Sequence, residues 1–394
     1  MAGERLASAL ADFRARYRAA AGKKERGGVL DEFCRATRYH RKYAIGLLNN
    51  EEPSGSPARR RRRGPEYSRV AIRVAEAVWE AAGYPWSVRL KALLPLWLPW
   101  ARTRLPGLTP QVEAELDAIS ARQLDRRLHS KKRQLKRRIY GHTKPGTLLK
   151  HHIPIKTDCW DVTEPGFTEI DLVSHSGPTA SGECIYSLNL TDIHTGWCET
   201  RAIMGRGEQG VVIALEQIRR ALPFVLRGID SDNGSEFINH HLYRYCQKRR
   251  IQFTRGRPYE KNDTAHIEQK NWTHVRRIFG WDRYDTPGLL DAMNQLYQGD
   301  LRLMMDLYQP SVKLVEKERI GSKLRRRYDT AQTPLDRLVA HLGSKTLPLN
   351  AQRLRDQRQL LDPFALSQSI EHQMDQILHL QKNKTKTPSL KTGT

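Results

Sequence analysis

Apolar residues recur along this chain with two different periods, and each change of period predicts a change of architecture. Over residues 67–150 the spacing is helical, through Val70, Ile72, Val74, Val78 and Trp79 and again through Leu90, Leu93, Leu94 and Leu96. Between 167 and 203 it falls to two. The runs Phe167 to Val173, Glu183 to Leu190 and Trp197 to Ile203 read as strands, with Thr195-Gly196 turning between the second and the third. A helical stripe follows through Val211, Val212, Leu215, Ile218 and Leu222. Next come an apolar segment from Val225 to Ile229, a helix near Ser235 to Arg249, the strand Ile251 to Thr254, and a helix that starts at Asn262 or Asp263 and meets no breaker until Gly280. Three consecutive strands followed by alternating helix and strand predict an α/β core over 151–308.

The flanks read differently. Residues 1–50 suggest a helix-turn-helix domain. A short helix runs from Gly28 to Cys34, Thr37 is placed to cap the next helix, and Tyr39 to Leu48 carry polar groups early and apolar groups late. In that frame Tyr39, His40, Arg41 and Lys42 would point into a DNA major groove; an ordinary helical hairpin with a basic face is the alternative. Residues 51–66 turn to Pro, Ser, Gly and the run Arg59, Arg60, Arg61, Arg62, Arg63, which has nothing to bury and reads as a linker able to follow phosphates. Within the helical region 67–150 a second helix-turn-helix is predicted around residues 119–128, with Ser120 as cap and Arg122 and Arg126 as DNA contacts, and the basic stretch with Lys131, Lys132 and Arg133 leads into the core. Beyond it we expect a small basic accessory region at 309–350, a C-terminal helix at 351–381 suited to assembly and broken at Pro363, and a disordered polar tail at 382–394.

Charge narrows the partners. With 67 Lys and Arg against 43 Asp and Glu, the formal net charge of +24 favours polyanions and predicts salt-dependent binding to them. The most apolar stretch, residues 92–100, is short and interrupted by Pro95 and Pro99, so no membrane span is expected. Five scattered cysteines without a Cys-x-x-Cys pair point to neither a disulfide framework nor a cysteine-rich zinc site, and a reducing cytoplasm is the simplest expectation.

Three carboxylates carry the chemistry: Asp171 near the end of the first strand, Asp232 in Asp232-Asn233-Gly234, and Glu268 on the last core helix, with the 35 positions 233 to 267 between the second and third. Carboxylates brought together repel one another unless a cation stands between them. Two hard divalent ions, Mg²⁺ or Mn²⁺, held by such oxygens can activate an attacking oxygen and stabilise a leaving one at a phosphodiester. Asp230, two residues before Asp232, would share its face of the strand and is a rival ligand, whereas Asp192 reads as a turn former.

On residues 166–171, 230–237, 257–263 and 268–272 the chain resembles the DDE transposase and retroviral integrase superfamily, and among its members the transposases of bacterial insertion sequences. The resemblance covers roughly residues 150 to 335. It implies an RNase H-like core, a mixed five-stranded sheet with helices, and Asp171, Asp232 and Glu268 as catalytic metal ligands for two ions. It also implies double-stranded DNA as partner, both the element's terminal inverted repeats and the target, and a homodimer or larger assembly. The paired His and Cys of the retroviral N-terminal zinc domain are lacking, and Arg38 stands in the first turn where related transposases carry Gly. Around the triad Arg257, Lys261, Lys270, Arg276 and Arg277 are candidate phosphate contacts, with Asn262 and His266 as possible neighbours. The expected function is 3′-end cleavage and strand transfer. A nuclease that only hydrolyses and a non-catalytic DNA-binding regulator remain as alternatives.

Overall fold

In a computed structural model the chain forms two compact units, residues 1–66 and 67–394. The structure describes residues 2–49, 67–134, 162–179, 181–231, 237, 239–255, 265–320, 323–343 and 348–384.

The first unit holds three helices, α1 (Ala2–Ala19), α2 (Lys23–Thr37) and α3 (Arg41–Asn49). Leu30, Phe33, Ala44 and Leu48 are buried together, with Leu10, Phe13 and Tyr17 packed against them. Thr37 does not cap α3: its hydroxyl donates to the Phe33 carbonyl at 2.7 Å, which makes it part of the last turn of α2. Arg38 closes that helix in the left-handed region at φ 58°, with its amide donating to the Cys34 carbonyl. A position that favours Gly is thus held by Arg, at a backbone cost of about 1–2 kcal/mol.

The second unit opens with α4 (Arg69–Ala81), α5 (Ser87–Arg104), α6 (Pro110–Ala118), α7 (Ala121–Arg127) and α8 (His129–Gln134). Side chains start three of them: Ser68, Thr109 and Ser120 accept from the amides of Ala71, Val112 and Gln123. Helix α5 runs unbroken through Pro95 and Pro99. Each proline removes an amide donor, and the helix persists because Leu90, Leu93, Leu94, Trp97 and Leu98 are all buried.

The sheet comprises β1 (Phe167–Ser174), β2 (Ile185–Asp192), β3 (Cys198–Met204), β4 (Gly228–Ser231) and β5 (Gln252–Arg255), with α9 (Glu208–Ala221) and α10 (His240–Arg249) in the crossovers. Its order is β3-β2-β1-β4-β5. The first three strands pair antiparallel, while β1 with β4 and β4 with β5 pair parallel, giving a mixed five-stranded sheet with helices. Ile170, Leu188, Leu190 and Ile229 pack with Val211, Leu215 and Ile218 of α9 and Leu242 of α10.

After β5 the chain enters α11 (Ala265–Lys270), a π-helical turn at Asn271–Arg276 and α12 (Arg277–Phe279). Then come α13 (Pro287–Gln298), α14 (Asp300–Leu303) and a second π turn at Met304–Tyr308. Leu289, Met293, Leu296 and Tyr297 of α13 form another core with Ile185 and Ala202 of the sheet. The basic region past residue 309 contains a hairpin the sequence did not announce, β6 (Leu314–Ile320) with β7 (Lys323–Tyr328), followed by α15 (Pro334–Leu342), α16 (Leu349–Leu360) and α17 (Pro363–Lys384). The helical stretch is interrupted at Pro363, with α16 ending at Leu360 and α17 starting at the proline. Helix α17 packs within the chain against α4, α5 and α13. Trp97 stacks edge-on to Phe364 at 4.9 Å, and the Ser367 hydroxyl donates to the Ala81 carbonyl at 2.7 Å. Residues 67–134 therefore share one apolar core with the sheet. No helix among the described residues is long and apolar enough to cross a membrane.

Candidate active site

Asp171 lies on the middle strand, half-buried, opposite Asn189 in the β1–β2 register. One of its carboxylate oxygens accepts from the Leu172 amide at 2.8 Å and the other from Asn271 Nδ2 at 2.5 Å. The Asn271 carbonyl oxygen in turn accepts from Asn189 Nδ2 at 2.8 Å, and Asn189 Oδ1 takes the Thr200 hydroxyl at 3.2 Å. A relay of amides thus fixes the helix to the sheet at Asp171. Asn271 opens the π-helical turn, a rare element that often marks functional positions. It stands three residues after Glu268, hence on the same helical face.

A second tie lies one strand position back along the same face. The Glu169 carboxylate, buried, accepts from the backbone amide of Ile267 at 2.9 Å and so receives one of the amides that the first turn of α11 leaves unpaired. Neither Asn271 nor Glu169 was singled out by the sequence reading. The signals available were spacing alone: three residues from Glu268 on a helix, and two from Asp171 on a strand.

Asp171 and Asn271 border a cavity of about 670 Å³, with Arg276, Glu183 and Arg206 also on its walls. Arg276 stands over the Trp281 ring, 3.9 Å from guanidinium to centroid. Burial is the main reason its pKa falls to about 10, and Asp171 opposes the fall electrostatically. The rival Asp230 is fully buried and accepts from Thr254 Oγ1 of β5 at 2.6 Å, inside the sheet rather than at its rim. Asp192 is the turn former expected of it: its oxygens take the Thr195 amide and hydroxyl and the Gly166 amide, and burial raises its pKa.

Of the triad, Asp171 is fully described. Asp232 lies outside the described residues, and Glu268 is described in its backbone, on α11. Ser231, the residue before Asp232, pairs with Ile170, the residue before Asp171. Among the described residues no three His, Cys, Asp or Glu side chains converge as a metal site would require.

The candidate DNA contacts separate into groups. Arg122 and Arg126 are exposed on α7, and Tyr39, His40, Arg41 and Lys42 are exposed around the start of α3. Arg41, however, is paired to Asp31. Lys131 pairs with Glu76 at 2.6 Å, and Lys132 is held by Asp125 at 2.5 Å and by Ser87, so both are engaged inside the unit rather than presented freely. Lys270 turns inward, beside Cys198 and Asp306, where desolvation lowers its pKa; it does not face the Asp171 cavity. Lys270 lines a different cavity. Arg59, Arg60, Arg61, Arg62, Arg63, Arg257, Lys261 and Asn262 lie outside the described residues, as do the side chains of Arg133 and His266.

No family model matches the chain. It is 37% identical over 329 residues to the uncharacterized protein y4rM of Sinorhizobium fredii (strain NBRC 101917 / NGR234), an alignment covering 82% of this chain and 91% of that protein. The chain belongs to the family of y4rM. Among solved structures it matches the HTLV-2 integrase catalytic core domain in complex with magnesium (dimeric form), at 14% identity and TM-score 0.28, over 37% of this chain and 90% of that one. It also matches the catalytic core domain of BIV integrase, at 16% identity and TM-score 0.28, over 46% of this chain and 97% of that one.

Proposed function

We propose that this chain is a DNA transposase of integrase type with an RNase H-like core, which cleaves the 3′ ends of a mobile element and joins them to target DNA. The observation that carries the reading is the Asn271–Asp171 hydrogen bond at 2.5 Å. It holds the helix bearing Glu268 against the strand bearing Asp171, whose parallel neighbour ends at the residue before Asp232. Asp171 and Glu268 thus lie on elements that meet, and Asp232 is the next residue after the strand paired with β1.

The donor set suits a hard divalent cation. Asp171 presents carboxylate oxygens at a cavity edge where its amide partners already orient them, and Asp232 and Glu268 would supply the remaining oxygens. Two Mg²⁺ or Mn²⁺ ions so held would favour ionisation of the attacking oxygen and offset charge on the leaving one. In the first reaction water attacks the phosphodiester at the element end and frees a 3′-hydroxyl. In the second, that hydroxyl attacks a target phosphodiester, one P–O bond forming as another breaks, so no covalent protein intermediate is needed. Asn271 keeps Asp171 in a single orientation, and Arg276 supplies positive charge beside the cavity.

Helices α1–α3 would act as a helix-turn-helix module through Tyr39, His40, Arg41 and Lys42, and Arg122 and Arg126 would follow phosphates on the second unit. Arg257, Lys261 and Arg277 would hold flanking phosphates. Joining two element ends calls for two active sites, hence a dimer or larger assembly on DNA.

The test is a joining reaction with purified protein, Mg²⁺ or Mn²⁺, labelled DNA carrying the gene-flanking inverted repeat with an exposed 3′-hydroxyl, and supercoiled plasmid. Label joined by the wild type and lost with Glu268→Gln supports a transposase with this triad. Nicking without joining would make it a nuclease, and binding without either a regulator.

A further inference from the structure

We propose that a second cavity, on the other side of the helix that carries Glu268, is a phosphate site held by Arg89, Lys270, His274 and Arg277. It measures about 440 Å³ and lies between residues 80–89 of the helical region and residues 269–278, with Met304, Met305 and Ser367 closing other walls. The proposal stands apart from the metal chemistry assigned to Asp171, since it uses different side chains of a different cavity.

The composition of the walls is the first reason. Four cationic or ionisable nitrogen groups share one small space, and among the described residues none of them forms an ion pair. The two carboxylates that reach the cavity, Glu80 and Glu371, belong to exposed residues and pair with none of the four. Arg277 extends over Gly83, with Nη2 3.5 Å from where a Cβ at that glycine would sit.

The second reason is unsatisfied donors. Arg89 Nε and His274 Nε2 are buried without a hydrogen-bond partner, and His274 as a whole is 6% exposed. Its other ring nitrogen meets the Thr273 hydroxyl at 2.8 Å, and that hydroxyl donates to the Gln269 carbonyl, so Nδ1 carries the proton and Nε2 becomes a donor only when a bound anion favours the charged ring. Buried polar groups in folded proteins are nearly always paired, and clustered exceptions call for an acceptor from outside the chain.

Electrostatics agrees with the geometry. Burial depresses Arg89, His274 and Arg277, and neighbours of the same sign push two of them further: Arg277 acts on Arg89, and Lys270 and Arg89 act on His274. A phosphate would offset the repulsion between these like charges and accept from the Arg89 Nε donor. A DNA phosphodiester and a free phosphate offer the same oxygens, so the chemistry is shared and the source is left to experiment.

The test uses the full-length protein. Thermal melts of wild type, Arg89→Met and Arg277→Met are recorded in chloride and in inorganic phosphate at matched ionic strength, and anisotropy with a labelled 30-base-pair duplex is followed across salt concentrations. Arg89→Met should raise Tm in chloride, because it removes an uncompensated buried charge, and should abolish the rise in Tm that phosphate gives the wild type. If the natural occupant is DNA, the variant also loses about five- to tenfold in duplex affinity and its salt slope falls by about one. If the occupant is free phosphate, duplex binding is unchanged while the phosphate response is lost. Either pattern supports the site. A wild type whose Tm ignores phosphate, together with unchanged duplex affinity in both variants, overturns it, and that outcome is independent of whether the wild type joins DNA ends.

Discussion

The two sides of the helix from Ala265 to Phe279 solve opposite problems. Toward the sheet, every polar group named has a partner: Asn271 on Asp171, Asn189 on Asn271, the Ile267 amide on Glu169. Toward the helical region, Arg89 and His274 keep buried nitrogens without hydrogen-bond partners. A satisfied network rigidifies what it touches, whereas an unsatisfied one is unstable until something completes it. The comparison teaches that one helix can be a fixed support on one face and an incomplete receptor on the other, with the π turn at Asn271–Arg276 setting which residues go to which side.

The largest expected effect comes from removing the chemistry on the satisfied side. Glu268→Gln, Asp232→Asn or Asp171→Asn should reduce strand joining by at least about a hundredfold, as loss of a single transition-state electrostatic contact does, with duplex binding retained in a gel-shift assay. Joining that survived in any of the three would sink the site assignment.

The next effect concerns the helix end that both sides share. His175, after β1, is buried against Phe279 and Tyr284 and bonds Ser187 through Nε2 at 2.8 Å. Burial, with Arg276 nearby, pushes its pKa down to about 3. Its folded-state pKa is below its unfolded value, so below about pH 6.5 the unfolded chain takes up the proton and the folded one does not. Stability is therefore lost as pH falls from about 6.5 toward 3, by roughly 3 kcal/mol at pH 4. Thermal melts from pH 7 to 4 should show a flatter profile for His175→Gln than for the wild type; parallel profiles would remove His175 as the cause.

Asn271→Ala sharpens the comparison directly. Losing a hydrogen bond to a charged group costs about 1.5–3 kcal/mol, so joining should fall about ten- to a hundredfold while the phosphate-dependent Tm shift of the opposite cavity stays intact. Loss of both responses together would show that the two sides are not separable.

The smallest effect is on the periphery. Lys131 is half-exposed and paired to Glu76, and exposed pairs contribute about 0–1 kcal/mol. Lys131→Ala should shift Tm little and duplex affinity less than Arg126→Ala does; a larger affinity loss at Lys131 would mean that its pair opens on DNA.

Much of this was legible in the residues. Alternation from Phe167 to Ile203 and helical spacing on either side were enough for the order of elements, because burial on one face of a sheet or helix imposes the period directly. Ser68, Thr109 and Ser120 caps are equally local. Asp192 was readable as a turn residue for the same reason. The hairpin of β6 and β7 escaped notice, since its run of Lys and Arg carries no apolar alternation for a core to select. Pro95 and Pro99 interrupt the apolar stretch without breaking helix α5, where tertiary burial of Leu94, Trp97 and Leu98 outweighs the missing amides.

The sequence by itself determined which residues can hold charge, cap a helix or alternate in a strand, and it placed three acids in settings fit for one chemistry. Only the tertiary structure decided that Asn271 reaches Asp171, that Glu169 holds the Ile267 amide, that Lys131 and Lys132 pair within the chain, that Lys270 turns inward, and that Arg89 and His274 share a cavity. Those are pairings between segments far apart in the chain, and their energies depend on distance and desolvation, neither of which a linear pattern contains.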